Sequence, residues 1–132
     1  MKEYKVDHPE HYNSHPSGVE AIDIVEYMNF CLGNAFKYVY RYRHKHGVND
    51  LKKAVWYLKR QIENPKTLDF KPDRIYFGVY DALLEIMKKE EDIRVAQALD
   101  YIYYYSFTNN NYHELEKAID LIQQLINEYD NV

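Results

Sequence analysis

At 100° per residue, Ala21, Ile24, Val25, Met28 and Leu32 fall on one face, which predicts a first helix over about 18–32. A second, over 34–46, turns Ala35, Phe36, Val39 and Tyr40 inward. A third, over 50–63, aligns Leu51, Ala54, Val55, Leu58 and Ile62. After the proline-punctuated stretch Asn64–Pro72, three more helices are expected, at about 72–90, 91–107 and 112–129. The last carries the stripe Leu115, Ala118, Ile119, Ile122, Leu125 and Ile126. Residues 74–80 and 101–107 are rich in strand-favouring side chains. Helix is still expected, because Ile75, Val79, Leu83, Ile86 and Met87 keep helical spacing. The expected class is all-α: a compact bundle of about six helices behind an irregular N-terminal arm. The boundary falls between residues 1–65, the arm plus three helices, and residues 66–132.

Terminal signals accompany these helices. Ser17 and Glu20 have the spacing of a capping box, and Asn111 with Glu114 is a weaker copy. Gly33 is expected to end the first helix in the left-handed region, with Asn34 capping the second; Gly47 and Asn49 repeat the arrangement one helix later. Pro72 suits the first turn of the fourth.

Composition narrows the class. The 132 residues are 46% apolar and 29% charged, with four Gly and four Pro, as in a folded protein rather than a disordered or collagenous one. A single cysteine excludes an internal disulfide, and Cys31 sits beside the buried stripe as a core thiol. The opening residues lack the apolar block of a signal peptide and no long apolar run follows, so a cytoplasmic protein without a membrane span is expected. The net charge of −4 hides a division: residues 1–66 carry eleven Lys+Arg against eight Asp+Glu, and residues 67–132 carry six against thirteen. An acidic chain is poorly suited to bulk duplex DNA, but a basic face on the first half can hold a small anion.

The second helix concentrates that face. Asn34, Lys37, Arg41 and Lys45 recur at spacings of three and four, flanked by Tyr38 and Tyr42. Three like charges in a row repel; either the row is a solvated face, or it needs acids from elsewhere in the fold or a bound anion. Asp23, Glu26 and Glu20 on the first helix are the internal candidates. The third helix adds Lys52, Lys53, Lys59, Arg60 and Trp56 off its apolar stripe, and Asp50 suits that helix's N-terminus. In the arm, His8, His11 and His15 match no standard zinc spacing, so no structural metal is expected; His8, His11 and Tyr12 offer donors to a phosphate or to the backbone. Neither a P-loop nor a dinucleotide fingerprint is present.

Four blocks occur in order: His8-Pro9-x-His11-Tyr12, Glu20-Ala-Ile-Asp23, Gly33-Asn34-Ala35-Phe-Lys37-Tyr38-x-x-Arg41-x-x-x-Lys45, and Asp50-Leu51-x-Lys53-Ala54-x-Trp56-Tyr57-Leu58. Over about residues 7–63 this pattern resembles a family of small phage-encoded proteins, known as a domain of unknown function or as a nucleotide kinase without a P-loop. The resemblance implies a nucleotide, ATP and Mg²⁺ as ligands, deoxynucleoside monophosphate phosphorylation as the activity, and the cytoplasm of an infected bacterium as the location. It points to His8, His11, Asn34, Lys37, Arg41, Lys45, Asp50, Lys53 and Trp56. In that scheme Lys37, Arg41 and Lys53 hold phosphates, Asp23 or Asp50 holds Mg²⁺ as the catalytic carboxylate, and Trp56 or Tyr38 stacks on the base. The alternative is a non-catalytic inhibitor of a host defence, whose acidic, tyrosine-rich second half covers a host protein or which sequesters a signalling nucleotide. A homo-oligomer, joined through Tyr101–Tyr105 and Trp56, is expected in either case.

Overall fold

The computed structural model describes residues 15–65, 76–108 and 111–130, with the side chains of Tyr76, Phe77 and Asp130 left out. His8, His11, Tyr12 and Pro72 lie outside the described residues. The fold is all-α, with six α-helices and no strand among the described residues: α1 (Ile22–Val25), α2 (Phe30–Arg41), α3 (Val48–Glu63), α4 (Tyr76–Lys89), α5 (Ile93–Thr108) and α6 (His113–Asp130). A 3-10 turn, Tyr42–His44, follows α2.

Two helical hairpins form the body. α2 packs on α3 and α5 on α6, while α2 meets α5 and α3 meets α6; α1 lies against α2 and α4. One apolar cluster runs through both halves of the chain, joining Phe36, Val39, Leu51 and Leu58 to Leu83, Leu99, Ile102, Leu115 and Ile122, all fully or almost fully buried. Each such side chain contributes roughly 1.5–3 kcal/mol on leaving water. The predicted apolar faces are the buried ones: Ala35, Phe36, Val39 and Tyr40 on α2, and Leu51, Ala54, Val55 and Leu58 on α3. The Tyr101–Phe107 segment is helical throughout.

The expected helix over 18–32 is interrupted. Asn29 adopts extended backbone and its side chain accepts from the Leu32 N–H at 2.9 Å, so a new helix starts at Phe30. Gly33 therefore lies inside α2 rather than ending its predecessor. A Cβ there would sit 3.3 Å from the Val25 carbonyl oxygen, so the glycine serves close approach of the 25–28 segment, not a left-handed turn. Asn34 is not a cap either; its amide donates to the Phe30 carbonyl one turn back, at 2.7 Å.

Gly47 does take positive φ, +57°, between the 3-10 turn and α3, but Asn49 falls in the first turn of α3 instead of capping it. At the predicted Ser17–Glu20 box the partners differ. The Ser17 hydroxyl accepts from Val19 N–H at 3.2 Å, and the carboxylate that reaches back is that of Asp23, accepting from Glu20 N–H at 3.3 Å. Asn111 caps α6 through the His113 N–H at 3.0 Å.

Candidate functional site

The α2–α3 hairpin brings the predicted cations together on one ring. Lys37 Nζ lies 4.7 Å from the centroid of Tyr38, the Arg41 guanidinium carbon 4.8 Å and Lys53 Nζ 5.4 Å. Tyr38 stacks on Tyr57 of α3, with centroids 5.9 Å apart and ring planes 17° apart; Trp56 meets Tyr57 edge-on at 5.1 Å. Two turns of α2 and one of α3 thus converge because the hairpin places 37, 38 and 41 beside 53, 56 and 57. Cation–π contact offsets part of the repulsion among the three charges and fixes their positions.

Compensation inside the cluster is incomplete. Asp50 is fully buried, and Arg41, 6% exposed, pairs with it (Nε to Oδ2 3.4 Å, Nη2 to Oδ1 3.5 Å). The other duty of Asp50 is to accept from the His46 N–H, which holds the hairpin turn. Lys37 and Lys53 form no ion pair among the described residues. Burial lowers the Lys37 pKa, the charge of Arg41 lowers it further, Asp50 opposes, and Lys45 and Lys53 again lower it. A half-buried ammonium surrounded by its own sign is stabilised by an incoming anion.

The expected carboxylates do not join this cluster as metal ligands. Asp50 has its oxygens engaged by Arg41 and a backbone amide. Asp23 is exposed beside Glu20, and its charge is felt at Tyr27 and Tyr40. Neither Asp23 nor Glu26 forms an ion pair among the described residues. No group of three or more His, Cys, Asp or Glu among the described residues is placed to hold a metal, and these side chains do not fit a protein-held Mg²⁺.

Beside the cluster lies an open depression of about 580 Å³, lined by His46, Asn49, Lys52, Lys53 and Trp56. Trp56 is 60% exposed, although it is the chain's one tryptophan. Lys53 therefore borders both the Tyr38 ring and this depression. Residues 6–59 match a family described as a protein of unknown function, DUF3310. The matched DUF3310 stretch spans Lys37, Tyr38, Arg41, Asp50, Lys53 and Trp56, and the family description names no activity. No curated protein and no solved structure matches the chain. No helix among the described residues is long and apolar enough to cross a membrane.

A second polar centre escaped the sequence reading. Glu90, just past the C-terminus of α4, has a side chain only 1% exposed and accepts from Arg43 through both oxygens (2.9 and 2.6 Å) and from His15 Nε2 at 3.2 Å. His15 Nδ1 accepts from the Ser17 N–H at 3.1 Å, which places the ring proton on Nε2, toward Glu90. His15 also stacks on Tyr40 at 4.8 Å. This centre ties the start of the described chain, the α2–α3 hairpin and the end of α4 together.

Burial pushes the Glu90 pKa upward, but the hydrogen bonds from His15, Arg43 and the Asp92 N–H outweigh it and hold the group at about 2, against 4.5 unperturbed. A depressed carboxylate stabilises the fold fully above its unfolded value, and that stabilisation is lost as pH falls through the folded one. The stability difference between wild type and Glu90→Gln is therefore expected to shrink as pH falls from 4.5 to 2. Urea titrations at a series of pH values check this, and a difference that stays constant across that window contradicts it.

Proposed function

We propose that the chain binds a nucleotide or related phosphate-bearing small molecule at the Tyr38 cluster, in the cytoplasm of a phage-infected cell. The observation that supports this most is the convergence of Lys37, Arg41 and Lys53 on one tyrosine ring, with a single buried acid among them. Lys37, Arg41 and Lys53 hold the phosphate and Lys45 adds field from the hairpin turn. Trp56 offers a face to the base, while Asp50 acts as a positioning residue for Arg41. As an enzyme, this would be a deoxynucleoside monophosphate kinase without a P-loop, where charge neutralisation and orientation do most of the chemistry. Any Mg²⁺ would then arrive on the ATP phosphates.

Calorimetric titration with the deoxynucleoside monophosphates tests the binding. Lys37→Ala and Lys53→Ala are each expected to weaken it about tenfold or more, as for loss of one charge-assisted hydrogen bond. Neither should lower Tm, because each removes a repelling charge. A coupled assay with ATP–Mg²⁺ tests turnover. Absence of binding by every monophosphate and by ATP sinks the reading; binding without diphosphate formation leaves a binder rather than a kinase.

A second reading is favoured by the exposed side chains of α5, of Tyr112 just before α6 and of α6 itself: Tyr104 and Tyr112 are about half exposed, and Glu116, hydrogen-bonded to His113, and Asp120 are also exposed. Tyrosines among carboxylates suit a basic protein partner, which is the surface an inhibitor of a host defence would present. Excess nucleotide should displace nothing bound there.

A further inference from the structure

We propose that the outward face of α3 extends the phosphate cluster into a track for a short single-stranded nucleic acid. Phosphates lie along Lys52, Lys53, Lys59 and Arg60, with a base on Trp56. The proposal rests on the reading that the Tyr38 cluster takes a phosphate, and it names a larger ligand for the same place.

Charge is the first argument. Between Tyr27 and Ile62 the chain has eight Lys and Arg and one acid, Asp50, which is buried against Arg41. Arg43 is held by Glu90. Lys37, Lys52, Lys53, Lys59 and Arg60 form no ion pair among the described residues. An ordinary solvated helix face intersperses both signs at i,i+4 spacing; from Lys52 to Arg60 this face carries one sign only, and the first acid on it is the exposed Glu63 at the end of α3. Asn49, Lys52, Lys53, Trp56 and Arg60 recur at three- and four-residue steps, so at 1.5 Å per residue the row is about 16 Å long. That is room for several phosphates, not one.

The aromatic rings give the second. Trp56 and Phe30 are the outermost of four rings in contact: both meet Tyr57 edge-on, at 5.1 and 5.8 Å, and Tyr57 stacks on Tyr38. Phe30 is 74% exposed and Trp56 60%. Two large apolar rings braced by neighbours yet open to water are stacking platforms for bases. The depression beside Trp56 is open, so a strand can pass through it.

The same features disfavour a duplex. Paired bases present no free face to Trp56, and the acidic second half, with six cations against thirteen acids, repels a double row of phosphates.

Trp56 is the sole tryptophan, so its fluorescence reports occupancy directly. The full chain is titrated with a deoxynucleoside monophosphate, a single-stranded deoxydecamer and the matching ten-base-pair duplex. The decamer is expected to quench Trp56 and to bind at least tenfold more tightly than either of the others. Its log K should fall with log salt at a slope of about −3, as for four neutralised phosphates on a single strand. The double variant Lys59→Ala/Arg60→Ala changes only exposed side chains outside the depression beside Trp56. It should weaken the decamer at least tenfold and leave the monophosphate unchanged, whereas Lys37→Ala/Lys53→Ala should weaken both.

Three results each overturn the track: a decamer no tighter than the monophosphate, a duplex bound as well as the single strand, or a Lys59→Ala/Arg60→Ala variant that binds the decamer like wild type. In those cases monophosphate binding stands separately. Failure of every ligand sinks both readings.

Discussion

Asp50→Ala is expected to destabilise the protein by about 3–5 kcal/mol, lowering Tm by roughly 10 °C or more. Asp50 has no exposed surface, and its partner Arg41 is 6% exposed. Removing the carboxylate strips the buried guanidinium of that acid and takes the acceptor from the His46 N–H at the hairpin turn. The first turn of α3 also loses its acid. Most of the loss is the burden of a buried charge deprived of that acid, not the net worth of the pair. The double change Arg41→Met/Asp50→Leu should therefore recover a large part of the stability while losing ligand binding. Chemical denaturation of the two variants separates these effects; equal stability for the single and double variants contradicts the argument.

Glu90→Gln is expected to be the next most damaging substitution, at about 3 kcal/mol. The amide keeps the shape but cannot satisfy both the Arg43 fork and the His15 Nε2–H. Arg43→Ala should do less, about 1 kcal/mol, because the Glu90 carboxylate keeps its bonds from His15 and the Asp92 N–H, and the space left by the one-third-exposed Arg43 side chain admits water to it. That asymmetry is the useful readout. If Arg43→Ala is as severe as Glu90→Gln, the arginine rather than the buried carboxylate holds the junction.

The helices and their buried faces were legible in the sequence because apolar spacing is a local property. The stripes on α3 and α6 needed no knowledge of their partners. Tyr101–Phe107 is helical despite its strand-favouring side chains, since Ile102, Tyr103, Tyr105 and Ser106 face the core of a continuous helix. What misled was the competition between Asn29 and Gly33. Gly33 has the residue type of a helix end, but its lack of a Cβ is used for packing against Val25, and Asn29 takes the cap. Local chemistry allowed either outcome, and tertiary contact decided.

At the candidate site the cations were legible as a row, and Lys37, Arg41 and Lys53 do share one ring. Asp50 was expected as an acid favourable to the helix N-terminus, and it does lie in the first turn of α3; its pairing with Arg41 depends on how the hairpin closes, which spacing alone does not give. Glu90 gave no signal, since its partners lie 47 and 75 residues away. The four blocks lie within residues 6–59, the stretch that matches DUF3310, a match that names neither a nucleotide nor a kinase.

The most direct measurement is a ¹H–¹⁵N chemical-shift titration of the full chain with a deoxynucleoside monophosphate, followed at the backbone amides and at the Trp56 indole. Saturating shifts concentrated at Lys37, Tyr38, Arg41, Lys53 and the Trp56 indole, abolished together in Lys37→Ala/Lys53→Ala, are predicted. Shifts that are absent, that never saturate, or that survive in that variant would contradict a phosphate site at the Tyr38 ring.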